Sequence, residues 1–362
     1  MKTILIATSN FGHPVSNYYR SLSEELINRN YKVIFIFDGL IKKFPKENNN
    51  LKFYTWKNKR PTKVSDFIFL YRIIKKEKPI ICISNFGSTN VVSIVSWLRR
   101  VKYRINYIHT TSKQIKLDSK KTKLLTFYLK NRKRIVYLLN NYLFTNSLGT
   151  KLDSVKHYKI NESKISVFPL LINSSDIKYK TLKERQFSIS IVGRLDPSKG
   201  HKKLLELFSE LLKKKHKIIL KIIGDGELKD DLISLCYSLN IKNSVIFLGN
   251  LPNKKVKEEL STSLINISAS IDEAFGLVNI EALREGTPIL CTKSSGAMDI
   301  VKPDINGLFF NLDSPASFQN AVEKILNNWD NFSLNSKSSF EKNYSYKNII
   351  NHVDKLENFI NN

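Results

Sequence analysis

Cysteine and long apolar runs are scarce in this sequence, and both shortages exclude classes of protein. The three cysteines, Cys82, Cys236 and Cys291, are far apart and form no CxxC pair. We therefore expect buried, reduced thiols and neither a disulfide framework nor a zinc site. No apolar run approaches the roughly 18 residues of a membrane-spanning helix. The apolar stretch after Met1 is too short for a signal peptide, which predicts a cytoplasmic protein.

Two chemistry-bearing motifs are absent as well. The chain has no GxGxxG, so a dinucleotide-binding Rossmann domain is not indicated. It also has no Asp-x-Asp, the carboxylate pair that would hold a metal ion on a diphosphate. We therefore expect no metal ion and no cofactor.

Acidic residues are few: 32 Asp and Glu stand against 59 Lys and Arg, a formal net charge of +27. The imbalance is concentrated in one half of the chain. Residues 1–173 hold 33 Lys and Arg against 9 Asp and Glu, a net +24, whereas residues 174–362 hold 26 against 23, a net +3. A general preference for lysine would charge both halves alike, so we expect the N-terminal half to work beside an anionic partner.

Strand-like and helical segments alternate along the chain, and the alternation starts again after residue 173. The 362 residues are enough for two domains, and 42% hydrophobic residues are typical of a folded protein. The first half has strand-like runs at Thr3–Ala7, Lys32–Phe37, Ile80–Ser84, Ile105–His109 and Tyr142–Asn146, and helical patterns at Asn17–Asn28 and Val64–Lys78. The second half has strand-like runs at Phe187–Gly193, Ile218–Ile223, Ser244–Leu248, Leu264–Ser268, Pro288–Cys291 and Gly307–Phe310, and a helix at Lys202–Lys214.

This alternation predicts an α/β fold with two doubly wound, Rossmann-like, parallel-sheet domains. We place the first domain at residues 1–172 and the second at 173–344, and we expect a C-terminal helix at 345–362 to pack back on the first. The polar segment Ile172–Gln186 is the expected linker. Ligands of such sheets bind at the carboxyl ends of the strands, so two facing domains would hold a ligand in the cleft between them.

Two cations follow the first strand of the second half. The stretch Val192–Gly200 (VGRLDPSKG) lies between a predicted strand and a predicted helix and carries Arg194 and Lys199. Arginine can grip a phosphate with two hydrogen bonds, and lysine acts on it as a point charge. Because cations on a turn are also often merely solvated, this stretch alone leaves both interpretations open.

The stretch EAFGLVNIE has two carboxylates, Glu273 and Glu281, eight residues apart. Eight residues of helix span about 12 Å and turn by about 80°, so the two cannot share one reacting atom as a hydrolytic acid–base pair. They could hold opposite ends of one long ligand. The amides of Phe275, Gly276 and Leu277 would lie at a helix N-terminus, which binds anions. The order of carboxylate, anion site and carboxylate fits a nucleoside diphosphate sugar.

With these stretches the sequence resembles the retaining GT-B glycosyltransferases of family GT4, also called glycosyl transferases group 1. The resemblance covers about residues 187–311 and includes GDG at 224–226, FLGN at 247–250 and SSGAMDIVKPDINGLFF at 294–310. It implies that Arg194 and Lys199 bind the donor diphosphate, that Glu281 binds the ribose and that Glu273 contacts the transferred sugar. The backbone at Asn250 and Leu251 would face the nucleobase.

The N-terminal half resembles the family more weakly. The resemblance implies that Gly12, after the first strand, lies under the donor phosphates, and that His109 is the histidine near the transferred sugar. His109 also has a purely structural interpretation, and His13 is a competing candidate. Two positions depart from the usual family pattern, namely Ala274 in place of glycine and Asp299 in place of glutamate.

The expected activity is a metal-independent transfer from a nucleoside diphosphate sugar, with a UDP-sugar as the expected donor, and the resemblance implies that the transfer retains the anomeric configuration. Arg194, Lys199 and the helix N-terminus would supply the positive charge where the departing diphosphate accumulates negative charge. Glu273 and His109 are the expected catalytic residues, with Glu273 orienting the sugar and His109 assisting by a hydrogen bond. Closure of the two domains would exclude water.

The segment 113–135 bears on the acceptor, since it holds 9 Lys and Arg and a single acid, Asp118. Its basic patch, made of Lys130, Arg132, Lys133 and Arg134, lies beside the apolar residues of 124–129 and 135–138. Cations beside apolar side chains are typical of a helix at a membrane surface, although a core helix with a solvated basic face has the same composition. The net +24 favours the first interpretation. We expect peripheral attachment to the inner face of the cell membrane, with a lipid-linked or otherwise anionic glycan acceptor in bacterial surface polysaccharide synthesis.

Three alternatives stay open at this point. A soluble enzyme that joins a nucleotide sugar to a sugar phosphate would have the same donor half. A basic nucleic-acid-binding protein would explain the charge, but the sequence has no recognised motif of that class. A catalytically inactive scaffold would not need the intact Arg194, Lys199, Glu273 and Glu281.

Overall fold

The computed structural model describes residues 1–10, 12–38, 48–58, 60–117, 122–214 and 217–361. The chain forms two compact units. The first comprises Met1–Ser112, Lys120–Asn173 and Ser345–Asn362, and the second comprises Lys113–Ser119 and Ser174–Tyr344. No helix in the described ranges is long and apolar enough to cross a bilayer.

The first unit contains a parallel sheet of seven strands in the order β3-β2-β1-β4-β5-β6-β7. The strands are β1 (Lys2–Thr8), β2 (Tyr31–Phe37), β3 (Leu51–Thr55), β4 (Ile81–Asn85), β5 (Tyr103–Ile108), β6 (Tyr142–Thr145) and β7 (Ile165–Val167). The helices are α1 (Pro14–Asn28), α2 (Val64–Glu77), α3 (Thr89–Leu98), α4 (Ser112–Leu117), whose greater part groups with the second unit, α5 (Lys123–Leu138) and α6 (Leu148–Tyr158). The central strands are apolar on both faces because helices cover both sides of a parallel sheet.

The C-terminal helix α14 (Ile349–Asn361) belongs to the first unit, where it packs on α1. Arg29, just after α1, donates from Nη1 to Asp354 and to Glu357, both at 2.6 Å. Tyr18 Oη and His352 Nδ1 are hydrogen bonded at 2.8 Å. These polar contacts fix the register of α14 against α1.

The second unit contains a parallel sheet of six strands in the order β10-β9-β8-β11-β12-β13. The strands are β8 (Ser188–Val192), β9 (Ile219–Ile223), β10 (Val245–Gly249), β11 (Ile265–Ser268), β12 (Ile289–Cys291) and β13 (Gly307–Phe309). The helices are α7 (His201–Lys213), α8 (Lys229–Ser238), α9 (Asn253–Thr262), α10 (Leu277–Arg284), α11 (Ala297–Ile300), α12 (Pro315–Asn327) and α13 (Trp329–Asn343). Two parallel α/β sheets confirm the predicted fold class.

The end of the predicted linker, Ile172–Gln186, is firmly anchored in the second unit. Arg185 is buried, and its Nη1 donates to Ser263 O at 2.8 Å and to Thr287 Oγ1 at 2.6 Å. Its Nη2 donates to Glu285 O at 2.7 Å, and the guanidinium lies 4.7 Å from the centre of the Trp329 ring. A single arginine thus joins the start of β8 to the segments around α9, α10 and α13. The three cysteines are buried and unpaired, as predicted.

Candidate active site

A cavity of about 250 Å³ lies at the carboxyl ends of β8 and β11 in the second unit. Five of the predicted donor-site residues line it, namely Arg194, Lys199, Glu273, Gly276 and Leu277. They come from the loop that follows β8 and from the loop and first helical turn that follow β11. Parallel strands bring these sequence-distant segments together because their carboxyl ends share one edge of the sheet.

The loop after β8 is held in shape by its own side chains. Asp196 accepts a hydrogen bond from the Ser198 amide at 2.9 Å and thereby caps the N-terminus of the short helical turn Pro197–Lys199. Gly200 then adopts a φ of +70°, and a Cβ there would lie 2.1 Å from the carbonyl oxygen of Ala269. Only glycine allows this approach. The consequence is that Lys199 lies directly against the loop that follows β11.

Lys199 and Glu273 form an ion pair in which Lys199 Nζ donates to Glu273 Oε2. The two side chains are 17% and 20% exposed, so the pair is largely sheltered from solvent. Ser270 Oγ also contacts Glu273 Oε2 at 3.4 Å. Sequence reasoning assigned these residues to different parts of one ligand and did not predict that they pair with each other.

The N-terminus of α10 opens on the same cavity. Its N-cap is Gly276, with a φ of +85°, and a Cβ there would lie 2.8 Å from Asn279 Nδ2. Glycine is therefore required for the chain to enter the helix at this angle. Phe275 does not line the cavity, because its buried ring packs edge-on against Tyr344 at a centroid distance of 6.4 Å.

Three other predicted donor residues lie outside the cavity lining. Glu281 lies one turn further along α10, where burial raises the pKa of its carboxyl. Asn250 and Leu251 follow β10, two strands away from β8 in the sheet. Among the described residues of the second unit, the cavity therefore gathers Arg194 and Lys199, the predicted diphosphate contacts, with Glu273, the predicted sugar contact, but not the predicted ribose and base contacts.

The cavity also has a polar floor that sequence reasoning missed. It is lined by His201 at the start of α7, Asn266 in the middle of β11 and Asn279 in the first turn of α10. All three are at most 1% exposed. Asn266 Nδ2 donates to Asn279 Oδ1 at 3.3 Å. One signal was available in the sequence, since an asparagine inside an apolar, fully buried strand is unusual.

The first unit holds a separate cluster around His109. Asn85 donates from Nδ2 to Ala7 O at 3.0 Å, so its Oδ1 accepts from His109 Nε2 at 2.9 Å. The His109 ring stacks on Phe86 at 4.2 Å, and burial lowers the pKa of His109 to about 3. His109 is therefore neutral at pH 7, with the proton on Nε2 and an acceptor at Nδ1.

His13 and Gly12 lie beside this cluster. The Nδ1 of His13 accepts from the Val15 amide at 3.2 Å and caps α1, and the His13 ring meets Phe86 edge-on at 5.6 Å. This capping role accounts for His13 without a ligand. Gly12 has a φ of +89°, and apart from its chain neighbours no described residue has an atom within 4 Å of where a Cβ would lie, so its backbone is open to approach from these residues' side.

Helix α5 carries the predicted basic patch, while residues 118–121 of the predicted acceptor segment, including Asp118, lie outside the described residues. Apolar side chains on α5 are strongly exposed: Leu124 80%, Phe127 66%, Tyr128 59% and Ile135 61%. Among the side chains of this helix that the structure describes, only Val136 and Tyr137 are buried. A core helix would bury its apolar residues, so that alternative does not describe α5.

Lys133 departs from the predicted patch. Its Nζ lies 5.6 Å from the Tyr137 ring and 5.5 Å from the Tyr158 ring, and burial lowers its pKa to about 8. The ammonium therefore points toward aromatic rings of α5 and α6. Arg132 is exposed and Lys130 half-buried, so these two are the better cations for a surface partner. Arg134 is also half-buried, and its Nε has no hydrogen-bond partner among the described residues.

The family comparison matches the second unit. Residues 173–346 match the model described as Glycosyl transferases group 1. These residues belong to that family. The predicted resemblance is thereby confirmed for these residues, which contain the cavity with Arg194, Lys199 and Glu273.

Individual relatives match different shares of the chain. An uncharacterized glycosyltransferase of Methanocaldococcus jannaschii is 32% identical over 164 residues, which cover 44% of this chain and 42% of that relative. The Escherichia coli protein named UDP-Gal:alpha-D-GlcNAc-diphosphoundecaprenol alpha-1,3-galactosyltransferase is 27% identical over 323 residues. That alignment covers 81% of this chain and 78% of the relative. The chain thus spans under half of the archaeal relative and about four fifths of the bacterial one.

A solved structure matches over nearly the whole length. The sucrose-phosphate synthase of Thermosynechococcus elongatus has a TM-score of 0.77 and covers 99% of both chains at 15% identity. At this low identity the match shows the fold alone, and that fold is GT-B, as predicted.

Proposed function

We propose that this protein is a retaining glycosyltransferase that uses a nucleoside diphosphate sugar, with a UDP-sugar as the expected donor. The observation that carries the proposal is the cavity where Arg194, Lys199 and the N-terminus of α10 meet the carboxylate of Glu273. Two cations and a row of helix amides suit a diphosphate, and a carboxylate beside them suits sugar hydroxyls. The Escherichia coli relative is named for a UDP-linked donor, which supports the choice of UDP.

The transfer breaks the bond between the anomeric carbon and the diphosphate oxygen and forms a bond to the acceptor oxygen on the same face of the sugar. The departing diphosphate gains negative charge, and Arg194, Lys199 and the α10 amides are preorganised to stabilise it. We propose that these groups make a metal ion unnecessary. The acceptor hydroxyl loses its proton to the departing phosphate, because Glu273, the one carboxylate that the described residues contribute to the cavity lining, orients the sugar.

Glu273 has to change partner during this cycle. In the structure its carboxylate holds Lys199. A bound diphosphate attracts the same ammonium, which frees Glu273 to accept hydrogen bonds from the sugar. For His109 we keep the role that the family resemblance suggests, a hydrogen bond to the transferred sugar, and its neutral ring offers Nδ1 as the acceptor.

We propose further that the acceptor is a lipid-linked or otherwise anionic glycan and that the protein attaches peripherally to the inner face of the cell membrane. The exposed Leu124, Phe127 and Tyr128 of α5 lie on the same helix as Lys130 and Arg132. Apolar side chains can enter the headgroup boundary while cations meet anionic lipids. The name of the Escherichia coli relative includes a diphosphoundecaprenol acceptor, which supports a lipid-linked substrate.

The donor proposal is tested by incubating the purified protein with UDP-, GDP- and ADP-sugars and measuring the released nucleotide, with and without EDTA. We expect one donor class to be turned over, with EDTA leaving the rate largely unchanged. Lys199→Ala should remove most of this turnover, whereas the exposed Lys202→Ala serves as the matched control on the next helix. Loss of all activity in EDTA that returns with Mg²⁺ or Mn²⁺ would contradict metal-free transfer.

The membrane proposal is tested by co-sedimentation with anionic and neutral liposomes across a salt series. Binding should favour anionic lipid and fall as salt rises. Phe127→Ser/Tyr128→Ser should weaken it at all salt concentrations, and Lys130→Ser/Arg132→Ser mainly at low salt. Lys254→Ser/Lys342→Ser removes the same charge from exposed positions of the second unit and should have little effect. A protein that ignores anionic liposomes at low salt would favour the soluble sugar-phosphate acceptor instead.

A further inference from the structure

The floor of the cavity contains polar atoms for which the described part of the chain supplies no hydrogen-bond partner. Both ring nitrogens of His201 and the Nδ2 of Asn279 are buried and make no hydrogen bond to any described residue. Each of the two residues is 1% exposed. A buried polar group without a partner costs about 1–3 kcal/mol, and apolar residues of the same shape would avoid this cost. A ligand that supplies hydrogen-bonding atoms here would remove it.

The two residues lie on the two helices whose first turns border the cavity. His201 is the first residue of α7 and follows Lys199 and Gly200 directly, so it lies beside the predicted diphosphate lysine. Asn279 is the third residue of α10 and follows the Gly276 cap. Its Oδ1 is occupied by Asn266 at 3.3 Å, which fixes the amide and leaves Nδ2 as the unpartnered donor.

We propose that His201 and Asn279 bind the donor by donating hydrogen bonds to its diphosphate oxygens. This inference rests on the proposed function, because it presumes that a nucleoside diphosphate occupies the cavity. Phosphate oxygens are acceptors only, and they match the N–H groups of the asparagine amide and of a neutral imidazole. Burial lowers the pKa of His201 to about 4, so at pH 7 it contributes a donor without a further charge beside Lys199.

The test compares the affinities of the full chain for UDP and for uridine by isothermal titration calorimetry. His201→Phe replaces the imidazole with an apolar ring and should weaken UDP binding by about tenfold or more while leaving uridine binding unchanged. His201→Gln keeps an N–H donor and should retain more UDP affinity than His201→Phe. Asn279→Asp keeps the acceptor for Asn266, replaces the donor with an anionic oxygen, and should weaken UDP binding further.

Stability separates a ligand-binding role from a structural one. Because the His201 ring makes no hydrogen bond to any residue that the structure describes, His201→Phe should unfold at the same temperature as the wild type or higher. His352→Phe is the matched control, since His352 is hydrogen bonded to Tyr18 and its loss should lower stability without changing UDP affinity. The imidazole ¹⁵N resonances of His201, identified by their loss in His201→Phe, should shift when UDP is added.

Three outcomes would overturn the inference. If the wild type binds UDP and His201→Phe binds it equally well, His201 does not contact the diphosphate. If UDP and uridine affinities fall together, the residue only shapes the cavity. If the wild type binds neither UDP nor GDP nor ADP, the donor proposal itself fails, and this inference fails with it.

Discussion

Glu273→Gln is expected to separate donor binding from sugar transfer. In the structure Lys199 Nζ donates to Glu273 Oε2, so the carboxylate forms an ion pair with an ammonium group that a bound diphosphate would also contact. The amide of glutamine is nearly the same shape but uncharged. The glutamine side chain should therefore bind Lys199 more weakly and repel the diphosphate less than the carboxylate does. The variant also lacks the carboxylate that orients the sugar.

The size of the effect follows from the geometry. Two anions that share one ammonium lie within about 6 Å of each other, where unit charges at an effective dielectric constant of about 20 repel by roughly 3 kcal/mol. Lys199 and Glu273 are 17% and 20% exposed, so some screening by solvent and salt remains. We take the net gain as about 1 kcal/mol, which corresponds to roughly fivefold tighter UDP binding.

The assay measures the Kd of UDP and kcat for transfer in the same preparations. Glu273→Gln should lower the Kd about fivefold and lower kcat by about tenfold or more, because a hydrogen bond to a charged group is lost in the transition state. Glu227→Gln removes the same charge from an exposed turn and controls for net charge. UDP binding that is unchanged or weaker in Glu273→Gln would refute the competition between carboxylate and diphosphate.

Three further predictions concern other parts of the molecule. Glu281→Ala should lose most transferase activity at unchanged thermal stability, and a near-normal kcat/KM would remove Glu281 from the donor site. Arg185→Ala should lower the free energy of unfolding by about 3 kcal/mol or more in urea denaturation, because several buried acceptors lose their donor. Burial opposes ionisation of Glu77, but hydrogen bonds from Lys32 and Lys52 outweigh it and lower its pKa to about 2. Stability from this cluster is therefore present above the unfolded pKa of about 4.3 and lost as pH falls toward 2, and Glu77→Gln should flatten the acid unfolding curve.

Sequence reasoning predicted the strands well where they are buried on both faces. Ser188–Val192 and Ile265–Ser268 are rich in isoleucine, and their predicted bounds differ from the observed ones by at most one residue. It missed β3 (Leu51–Thr55) and β7 (Ile165–Val167), which lie at the two edges of the first sheet. Edge strands are short and partly exposed, so apolar and polar residues alternate over only a few positions. Hydrophobic periodicity therefore identifies such strands poorly.

The candidate site was predictable to the extent that it depends on local chain geometry. A glycine before a helix and a cation in a turn after a strand are visible in the sequence, and Gly276, Arg194 and Lys199 do line one cavity. The ion pair of Lys199 with Glu273 was not predictable, because it joins residues 74 positions apart. The same holds for His201, whose burial depends on how α7 packs over the carboxyl end of β11.

The structure weakens the argument that the net charge of the first half indicates an anionic partner. Lys32 and Lys52 neutralise Glu77, and the Lys133 ammonium lies over the rings of Tyr137 and Tyr158. Cations used inside the fold do not contribute to a binding surface.

The charge count could not reveal that α5 leaves aromatic and aliphatic side chains exposed to solvent. The proposed membrane attachment therefore depends on these exposed groups more than on the excess of lysine, because a bilayer offers an apolar region beside its charges. If the partner were a soluble polyanion, changing Phe127 and Tyr128 to serine would leave binding intact.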